Sequence, residues 1–581
     1  MMPRTLLRLA VAGAVAAGGF ALATVPATAG PAEKAKPTRT VPVRLLTIND
    51  LHGNLEAPTG SSGRITDENG VVVEGAGGVA RLATKIEELR TRNTAVVAAG
   101  DLIGASPLIS AAYHDEPTLE ILDQIGLRAS AAGNHEFDEG YTELQRVMDG
   151  GCHPVDGCSP RGEWNGTSFD FLAANVLKES TGDYALPPVY IKTINGVKVG
   201  FIGLVTATTP TIVTAEGIKG LQFTEEVAAA NKASRWLTAR GVKAQVILMH
   251  EGDQVTQGQS PDACPVVVGA GSRIASAAAP EIDVVVSGHS HQAYICKTPD
   301  PAGQQRLYTQ GSSFGRVLTQ IDFQVDKRTR DVIRSTVTAD NHVIRPSITP
   351  HDKIDTAVSY WKEKVGPVAN KPIGKITADL SNSVDNTSPA KANPETQLGS
   401  VIADSQLAAV QSTGAQIALM NPGGIRTALR FEQSGSEGPG VVTYGEAFAV
   451  QPFGNIVQVK TYTGDQLKRL LEQQVWSVAP NGTVTHRILQ VSSSLTYTFD
   501  TTKPVGQRVS NIKINGQDVT PTQSIKIAAN NFLMGGGDGF SVFTESTDLF
   551  SGPVDLDAFS AYLTANSPVA PPAGGRITII K

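Results

Sequence analysis

The sequence predicts an α/β protein built from more than one sheet-bearing unit, and three observations carry that expectation. Apolar runs of strand length alternate with amphipathic runs of helical period from residue 41 to about residue 295, the signature of buried sheets with helices on their faces. A second α/β stretch begins near Ile373. The chain has 581 residues, too many for one hydrophobic core.

Taken in order, strands are expected at residues 43–48, 95–99, 197–205, 245–249 and 282–287. Between them, helical patterns cover residues 79–92, 119–125, 142–148 and 227–240. Residues 307–337 alternate at period two, as a half-buried antiparallel pair would. Pro346 and Pro350 then precede a helical run at 352–365, and Pro367 and Pro372 follow it, which suits a connector between domains. Beyond it, a helix is expected at 397–411 and strands at 416–420, 456–462, 496–500, 509–514 and 525–530, with a last strand at 577–581. Residues 433–440 read as a surface loop. The implied division is a first domain at 41–345, a linker helix at 346–372 and a second domain at 373–581.

Composition narrows the class. Apolar residues make up 41% and charged residues 18%, ordinary for a globular chain. A net charge of -6 argues against a grip on nucleic-acid polymers, which needs a basic stripe, but leaves small phosphorylated ligands open. At the N-terminus, Arg4 and Arg8 precede an apolar, alanine-rich run, and Ala27-Thr28-Ala29 fits a small-residue cleavage site. Residues 1–29 therefore read as a signal peptide cleaved near Ala29, followed by a disordered leader at 30–40, and the protein as secreted. No later apolar stretch has the length of a membrane span. The four cysteines agree with export, and proximity favours the pairs Cys152–Cys158 and Cys264–Cys296 among the three pairings possible.

The first unit has one recurring feature: its apolar strands end in residues able to bind metal. Residues 43–48 run into Asp50 and His52, residues 95–99 into Asp101, and residues 129–132 into Asn134 and His135. Residues 245–249 end at His250 and residues 282–287 at His289 and His291. In open α/β sheets ligands collect at the carboxyl ends of strands, so these five endings can converge although they are far apart in sequence. Imidazole, carboxylate and amide oxygen together suit a borderline divalent ion such as zinc, manganese or iron. Glycines beside the ligands permit tight turns and close approach to an anion. Five of the ten histidines lie in this set; His114, His153, His342, His351 and His486 read as ordinary surface or hydrogen-bonding residues.

The segments Asp50-Leu51-His52-Gly53-Asn54, Gly100-Asp101, Gly133-Asn134-His135-Glu136 and Gly288-His289-Ser290-His291 resemble the signature of the calcineurin-like metallophosphoesterases. The resemblance implies a four-layer sandwich of mixed sheets flanked by helices, holding two divalent metal ions. It gives Asp50, His52 and His291 to the first ion, Asn134, His250 and His289 to the second, and Asp101 as the bridge. It makes His135 the catalytic histidine, oriented by Asp138. One variation is His291, where relatives of the bacterial periplasmic nucleotidase kind often carry Gln or Asn. Two ions about 3.5–4 Å apart would acidify a water for in-line attack on phosphorus, with no covalent phosphoenzyme.

The second unit carries unusual turns: Asn421-Pro422-Gly423-Gly424-Ile425-Arg426, Gln451-Pro452-Phe453-Gly454-Asn455, and the run from Asn530 to Phe540. Phenylalanine in a Gly-rich turn suits stacking on a planar base, and Asp538 suits ribose hydroxyls. These turns resemble the nucleoside pocket in the C-terminal α/β domain of the 5′-nucleotidase family. The resemblance implies a substrate site of Asn421, Gly424, Arg426, Phe453, Asn455, Phe532 and Asp538, and the two matches span residues 41–581. There is one departure. The family's phosphate-binding arginines just before the helix at Gln397 are absent from residues 388–395, where Lys391 is the cation.

The expected function is hydrolysis of 5′-mononucleotides to nucleoside and phosphate. A 2′,3′-cyclic nucleotide phosphodiesterase with 3′-nucleotidase activity, or a UDP-sugar hydrolase, keeps the chemistry and changes the substrate. A non-enzymatic nucleotide-binding surface protein would show eroded ligands, and every metal position here carries a competent residue.

Overall fold

Alternate residues of the first strand, Thr40–Ile48, face two different cores. Val41, Val43 and Leu45 join Val97, Ala129, Phe201, Val246, Val284 and Phe323 between two sheets. Leu46 and Ile48 join Val79, Leu82, Ile86, Leu119 and Trp361 beneath helices. A period-two strand buried on both faces requires cover on both sides, and the protein supplies it in layers. The structure is a computed structural model that describes residues 40–580 except 59, 256–259, 384–394, 434, 436, 479–483 and 547. The expected signal peptide and the segment around Lys391 lie outside the described residues. Residues Thr40–Lys581 form one compact unit.

The first sheet has six strands in the order Thr338–Val343, Val317–Asp326, Thr40–Ile48, Thr94–Ala98, Leu127–Ala131 and Asp170–Leu172. The last four run parallel, and Val317–Asp326 is antiparallel to both its neighbours. The second sheet orders Ala293–Pro299, Gln305–Gly311, Val284–Ser287, Ala244–His250, Val197–Val205 and Val189–Ile194. Its four central strands are parallel and its two edges antiparallel. Helices Val79–Leu89, Glu116–Ile125 and Tyr141–Asp149 cover the first sheet through Val79, Leu122 and Leu144. Helices Glu226–Ala239 and Ala270–Ala277 cover the second through Ala230, Leu237 and Ile274. This is the four-layer mixed sandwich expected from the resemblance.

Two expectations need correction. Residues 307–337 do not form an antiparallel pair: Gln305–Gly311 belongs to the second sheet and Val317–Asp326 to the first. Val317–Asp326 alternates because one face enters the intersheet core through Ile321 and Phe323, whereas Gln305–Gly311 is buried on both faces, with Leu307 in that core and Tyr308 in the helix-side core of the second sheet. Period two reports half-burial and says nothing of the partner strand. The connector helix is Asp352–Ala369, so it runs through Pro367 instead of stopping before it. In the last turn a proline forfeits one main-chain bond and can be carried by packing. Ile354, Trp361 and Val365 bury that helix against the first half, where Trp361 Nε1 donates to Glu120 Oε2 at 2.9 Å.

After residue 371 the chain builds a five-stranded sheet in the order Gln490–Val491, Ile417–Met420, Ser524–Asn530, Ile456–Thr463 and Phe550–Val554. Helices Gln397–Ala409 and Asp555–Ala565 cover one side through Leu398, Ile402, Phe559 and Leu563. Helix Gly464–Glu472 packs Leu467, Leu470 and Leu471 on the other, with strands Leu495–Asp500 and Val509–Ile514. Tyr444 and Phe448 of this half pack against the helix-side core of the first half. Both disulfides expected from proximity form, with Cα–Cα distances of 4.4 Å for Cys152–Cys158 and 5.0 Å for Cys264–Cys296. Among the described residues no helix is long and apolar enough to cross a membrane.

Candidate active site

The strand endings singled out in the sequence converge. Asp50, His52, Asp101, Asn134 and His250 are all buried at the carboxyl edges of the two sheets. Asp50, His52, Asp101, His289 and His291 all have positive φ, between 44° and 71°. Non-glycine residues adopt that region at a cost, and five such residues in one cluster mark a site held in strain by its surroundings. The adjoining glycine is a packing requirement: a Cβ on Gly133 would lie 2.1 Å from Asp101 Oδ1.

Ligand atoms of Asp50, His52 and His291 lie within 4.8 Å of one another, and so do those of Asp101, His250 and His289. His52 Nε2 is 3.2 Å from His291 Nε2, and His291 Nε2 is 3.4 Å from Asp50 Oδ1. His250 Nε2 is 2.9 Å from Asp101 Oδ2 and His52 Nε2 is 3.6 Å from the same oxygen. The Asp101 carboxylate thus stands between the two groups. Asn134 Oδ1 is buried and makes no hydrogen bond within the described residues.

Main-chain contacts fix the remaining atoms. His52 Nδ1 lies 3.0 Å from Gly104 O and His250 Nδ1 2.8 Å from Ala99 O, which orients both rings. The main-chain N–H of His289 donates to Asp50 Oδ1 at 2.9 Å, and that of His135 to Asp101 Oδ1 at 2.9 Å. Glu136 accepts from the N–H groups of Asp101, Leu102 and Gly133, so its carboxylate folds the two turns together.

Burial sets the protonation of the cluster. It pushes His52 down to about 3 and lowers His289 and His291 as well, leaving neutral rings with lone pairs to offer. Burial pushes Asp50 up to about 7, with the Asp101 charge adding to it. For Asp101, burial is outweighed by His250, His135 and His52, which hold its carboxyl well below the ordinary value. His250 is pushed up to about 10 because Asp101 overcomes the desolvation of its ring.

His135 Nδ1 lies 2.8 Å from Asp138 Oδ2, so Nε2 is the nitrogen left for a ligand. It lines a cavity of about 320 Å³ together with Asn134, Asp138 and His289 from the first half. The opposite wall holds all seven residues expected to bind substrate: Asn421, Gly424, Arg426, Phe453, Asn455, Phe532 and Asp538. Phe532 lies flat on Gly537, where a Cβ would come within 2.6 Å of its ring. Asn421 Nδ2 donates to Asp538 Oδ2 at 3.0 Å, and Asn530 Nδ2 to Asn421 Oδ1 at 3.0 Å.

Three contributors were not picked out from the sequence. Arg487 pairs with Asp538 and lines the cavity, but Thr485-His486-Arg487-Ile488 carries no turn or motif that would flag it. The turns around Thr208 and Thr211–Thr214 line the mouth and look like ordinary loop sequence. Phe314 stands edge-on to His52 and His291, with ring centroids at 5.8 and 5.3 Å.

Sheet-edge carboxylates and imidazoles in two groups, facing an aromatic and amide pocket across one cavity, define a metallophosphoesterase-type hydrolase. Residues 43–293 match the calcineurin-like phosphoesterase family and residues 372–545 the 5′-nucleotidase C-terminal domain. The chain is 33% identical over 568 residues to the cell wall protein Lmo0130 of Listeria monocytogenes, covering 93% of this chain and 69% of that one. It is 31% identical over 549 residues to Endonuclease YhcR of Bacillus subtilis, covering 94% of this chain but 41% of that one. The crystal structure of the 5′-nucleotidase precursor from Thermus thermophilus matches with a TM-score of 0.72 at 25% identity, over 93% of this chain and 100% of that one. The chain belongs to the 5′-nucleotidase family and is a hydrolase. Calcineurin-like phosphoesterases use divalent metals, and the two groups described above are the candidate sites.

Proposed function

We propose that the protein is an exported nucleotide phosphohydrolase that releases nucleoside and phosphate from 5′-mononucleotides. The observation that carries this reading is the shared cavity: Asn134, His135 and His289 lie on one wall and Arg426, Phe453, Phe532 and Asp538 on the other. In this reading residues 41–345 bind metal, residues 373–581 bind the nucleoside, and helix Asp352–Ala369 joins them.

The donor set fits a pair of divalent ions. It combines the neutral buried imidazoles of His52, His289 and His291, the His250 ring against Asp101, two carboxylates, and an amide oxygen, Asn134 Oδ1, with no partner among the described residues. Asp50, His52 and His291 would hold one ion, Asn134, His250 and His289 the other, and Asp101 would bridge. Such ions, when bound, supply Lewis-acid polarisation of phosphate and a water acidified to near neutrality. The chain's own residues do the rest. Phe453 and Phe532 sandwich the base, Asp538 accepts from the ribose hydroxyls, and Asn421 holds Asp538 in place. Arg426, whose guanidinium carbon lies 5.5 Å from the Phe453 ring centroid, neutralises phosphate charge at the His135 end. His135, held by Asp138, donates from Nε2 to phosphoryl or leaving-group oxygen.

Phosphate release from a panel of mono-, di-, cyclic and sugar nucleotides and a short oligonucleotide, each with zinc and manganese, tests this reading. Preference for 5′-mononucleotides, lost in His135→Ala, is the expected result. Preferred cleavage of cyclic nucleotides or of the oligonucleotide would replace the substrate assignment. Unchanged turnover in His135→Ala would remove the role given to that residue.

A further inference from the structure

The nucleoside wall of the cavity holds an ion pair that no motif announces. Asp538 takes a left-handed φ of 58° in the turn Gly537–Gly539 and is 8% exposed. Each of its oxygens has a donor: Oδ2 accepts from Asn421 Nδ2 at 3.0 Å, and Oδ1 accepts from Nη1 of Arg487. Arg487 and Asp538 both line the cavity, beside Asn421, Asn530 and Phe532.

The main chain that delivers Arg487 is fixed from behind. Its N–H donates to Gln474 O at 2.8 Å, and the Leu489 N–H donates to Gln474 Oε1 at 2.8 Å. Gln474 is fully buried; its Oε1 also accepts from Tyr497 OH at 3.0 Å, and its Nε2 donates to Leu471 O at 2.9 Å. One buried glutamine thus pins both ends of residues 487–489, and the guanidinium reaches Asp538 from a backbone that is held in place.

Charge decides what the pair does. Burial pushes the Asp538 carboxyl up, and Arg487 is the foremost group opposing it, ahead of Asn421. An ionised carboxylate is acceptor-only and keeps lone pairs on both oxygens after one bond to each. That is the partner a vicinal diol needs, because its two hydroxyls donate side by side to the two oxygens. Protonation would turn one of those acceptors into a donor. Removing one member of a desolvated pair leaves the other charge uncompensated, so the carboxylate depends on the guanidinium.

We propose that Arg487 is a positioning residue for substrate selection, which holds Asp538 as a two-point acceptor and thereby sets a preference for ribonucleotides over 2′-deoxyribonucleotides. This deepens the nucleotide reading above and rests on it. Arg487 acts through Asp538, and no step of the phosphate chemistry passes through it.

The test is the ratio of kcat/KM for a 5′-ribonucleotide to that for its 2′-deoxy counterpart, measured on the full chain with circular dichroism as the fold control. Arg487→Met is expected to lower that ratio by about 10-fold or more, the scale of one hydrogen bond to a charged group, chiefly through a higher KM for the ribonucleotide. Arg487→Lys restores a point charge without the planar fork and should recover part of the loss. In an Asp538→Asn background, adding Arg487→Met should leave the ratio where Asp538→Asn alone puts it. An unchanged ratio in Arg487→Met, or an equal further fall in the Asp538→Asn background, would overturn the proposal. A wild type without ribose preference would also overturn it, by removing the ribose contact of Asp538 while nucleotide hydrolysis stands. No turnover of either nucleotide by wild type would instead remove the reading on which the proposal rests. If Arg487→Met does not fold, Arg487→Gln carries the same expectation.

Discussion

His135 and Phe453 lie ring against ring, with centroids 5.7 Å apart and planes within 17° of parallel. One comes from the turn after the strand Leu127–Ala131, the other from the turn before the strand Ile456–Thr463. His52 meets the same imidazole edge-on at 4.9 Å. A line of contacts thus runs from a candidate metal ligand through the candidate catalytic histidine to an aromatic expected to hold a base. In the proposed function, phosphate chemistry and base recognition would meet at that pair.

The joining separates the two phenylalanines. Phe532 rests on Gly537 and packs against the core of the second half, so Phe532→Ala is expected to raise KM for a 5′-mononucleotide and leave kcat little changed. Loss of one stacked ring costs about 1–3 kcal/mol, or roughly 5- to 150-fold in KM. Phe453→Ala removes a support of His135 as well and should lower kcat too. Hydrolysis of p-nitrophenyl phosphate, which has no base, is the control. A fall in that activity equal to the fall with nucleotide in Phe532→Ala would argue that the ring is merely structural.

His135 itself is expected to contribute in the transition state. His135→Ala should lower kcat by about 10²–10³-fold, the loss associated with a single donor to a developing negative charge. Asp138→Asn should cost less, because the ring stays in place and loses only its orienting carboxylate. Steady-state kinetics on both variants checks the order of the two losses.

Much of this was legible in the sequence because its signals were local. Asp50, His52, Asp101, Asn134 and His250 each end or follow an apolar strand, and strand ends are where sheets collect ligands. Phe453 and Phe532 stood out as aromatics in glycine-rich turns. What escaped depended on tertiary partners. Strand Val317–Asp326 shows the same alternation whichever sheet it joins, so its pairing with Thr40–Ile48 left no mark in the pattern. Pro367 looked like a stop because a single-sequence rule does not register the packing of Trp361 and Val365 that carries the helix past it. Arg487 reaches Asp538 from a strand connection with no motif.

Asp555 offers a pH test away from the metal ligands. Its carboxyl is buried at the start of helix Asp555–Ala565, accepting from the Leu556 N–H at 2.8 Å and from Gln451 Nε2 at 3.3 Å. Burial pushes it up to about 7 from an ordinary 3.8. Between those values the folded chain binds more protons than the unfolded chain, so this group's contribution to stability falls as pH rises. Asp555→Asn removes the ionisation. Its advantage over wild type should grow from little near pH 4 to about 1–3 kcal/mol above pH 7. Urea denaturation at pH 5 and pH 8 measures the difference, and a variant with the same offset at both would contradict the assigned burial cost.

The cavity takes its two walls from opposite halves, and turnover is expected to require their relative motion. The connector helix Asp352–Ala369 is buried against the first half by Ile354, Trp361 and Val365, so it moves with that half. The pivot then falls after Ala369, at Asn370 and Lys371, before the strand Pro372–Lys375 begins. Lys371 O accepts from the Tyr444 N–H at 2.9 Å, and Tyr444 and Phe448 pack back on the first core, which braces the pivot. The turns Thr209–Thr211 and Gly537–Gly539 face each other across the cavity mouth with Cα atoms inside 8 Å. A cysteine pair joining them should remove most of kcat when oxidised, as expected where closure or product release limits the rate. Mild reduction should restore it, with wild type treated in parallel to account for the two native disulfides. Full activity in the oxidised, cross-linked protein would show that the halves do not need to move.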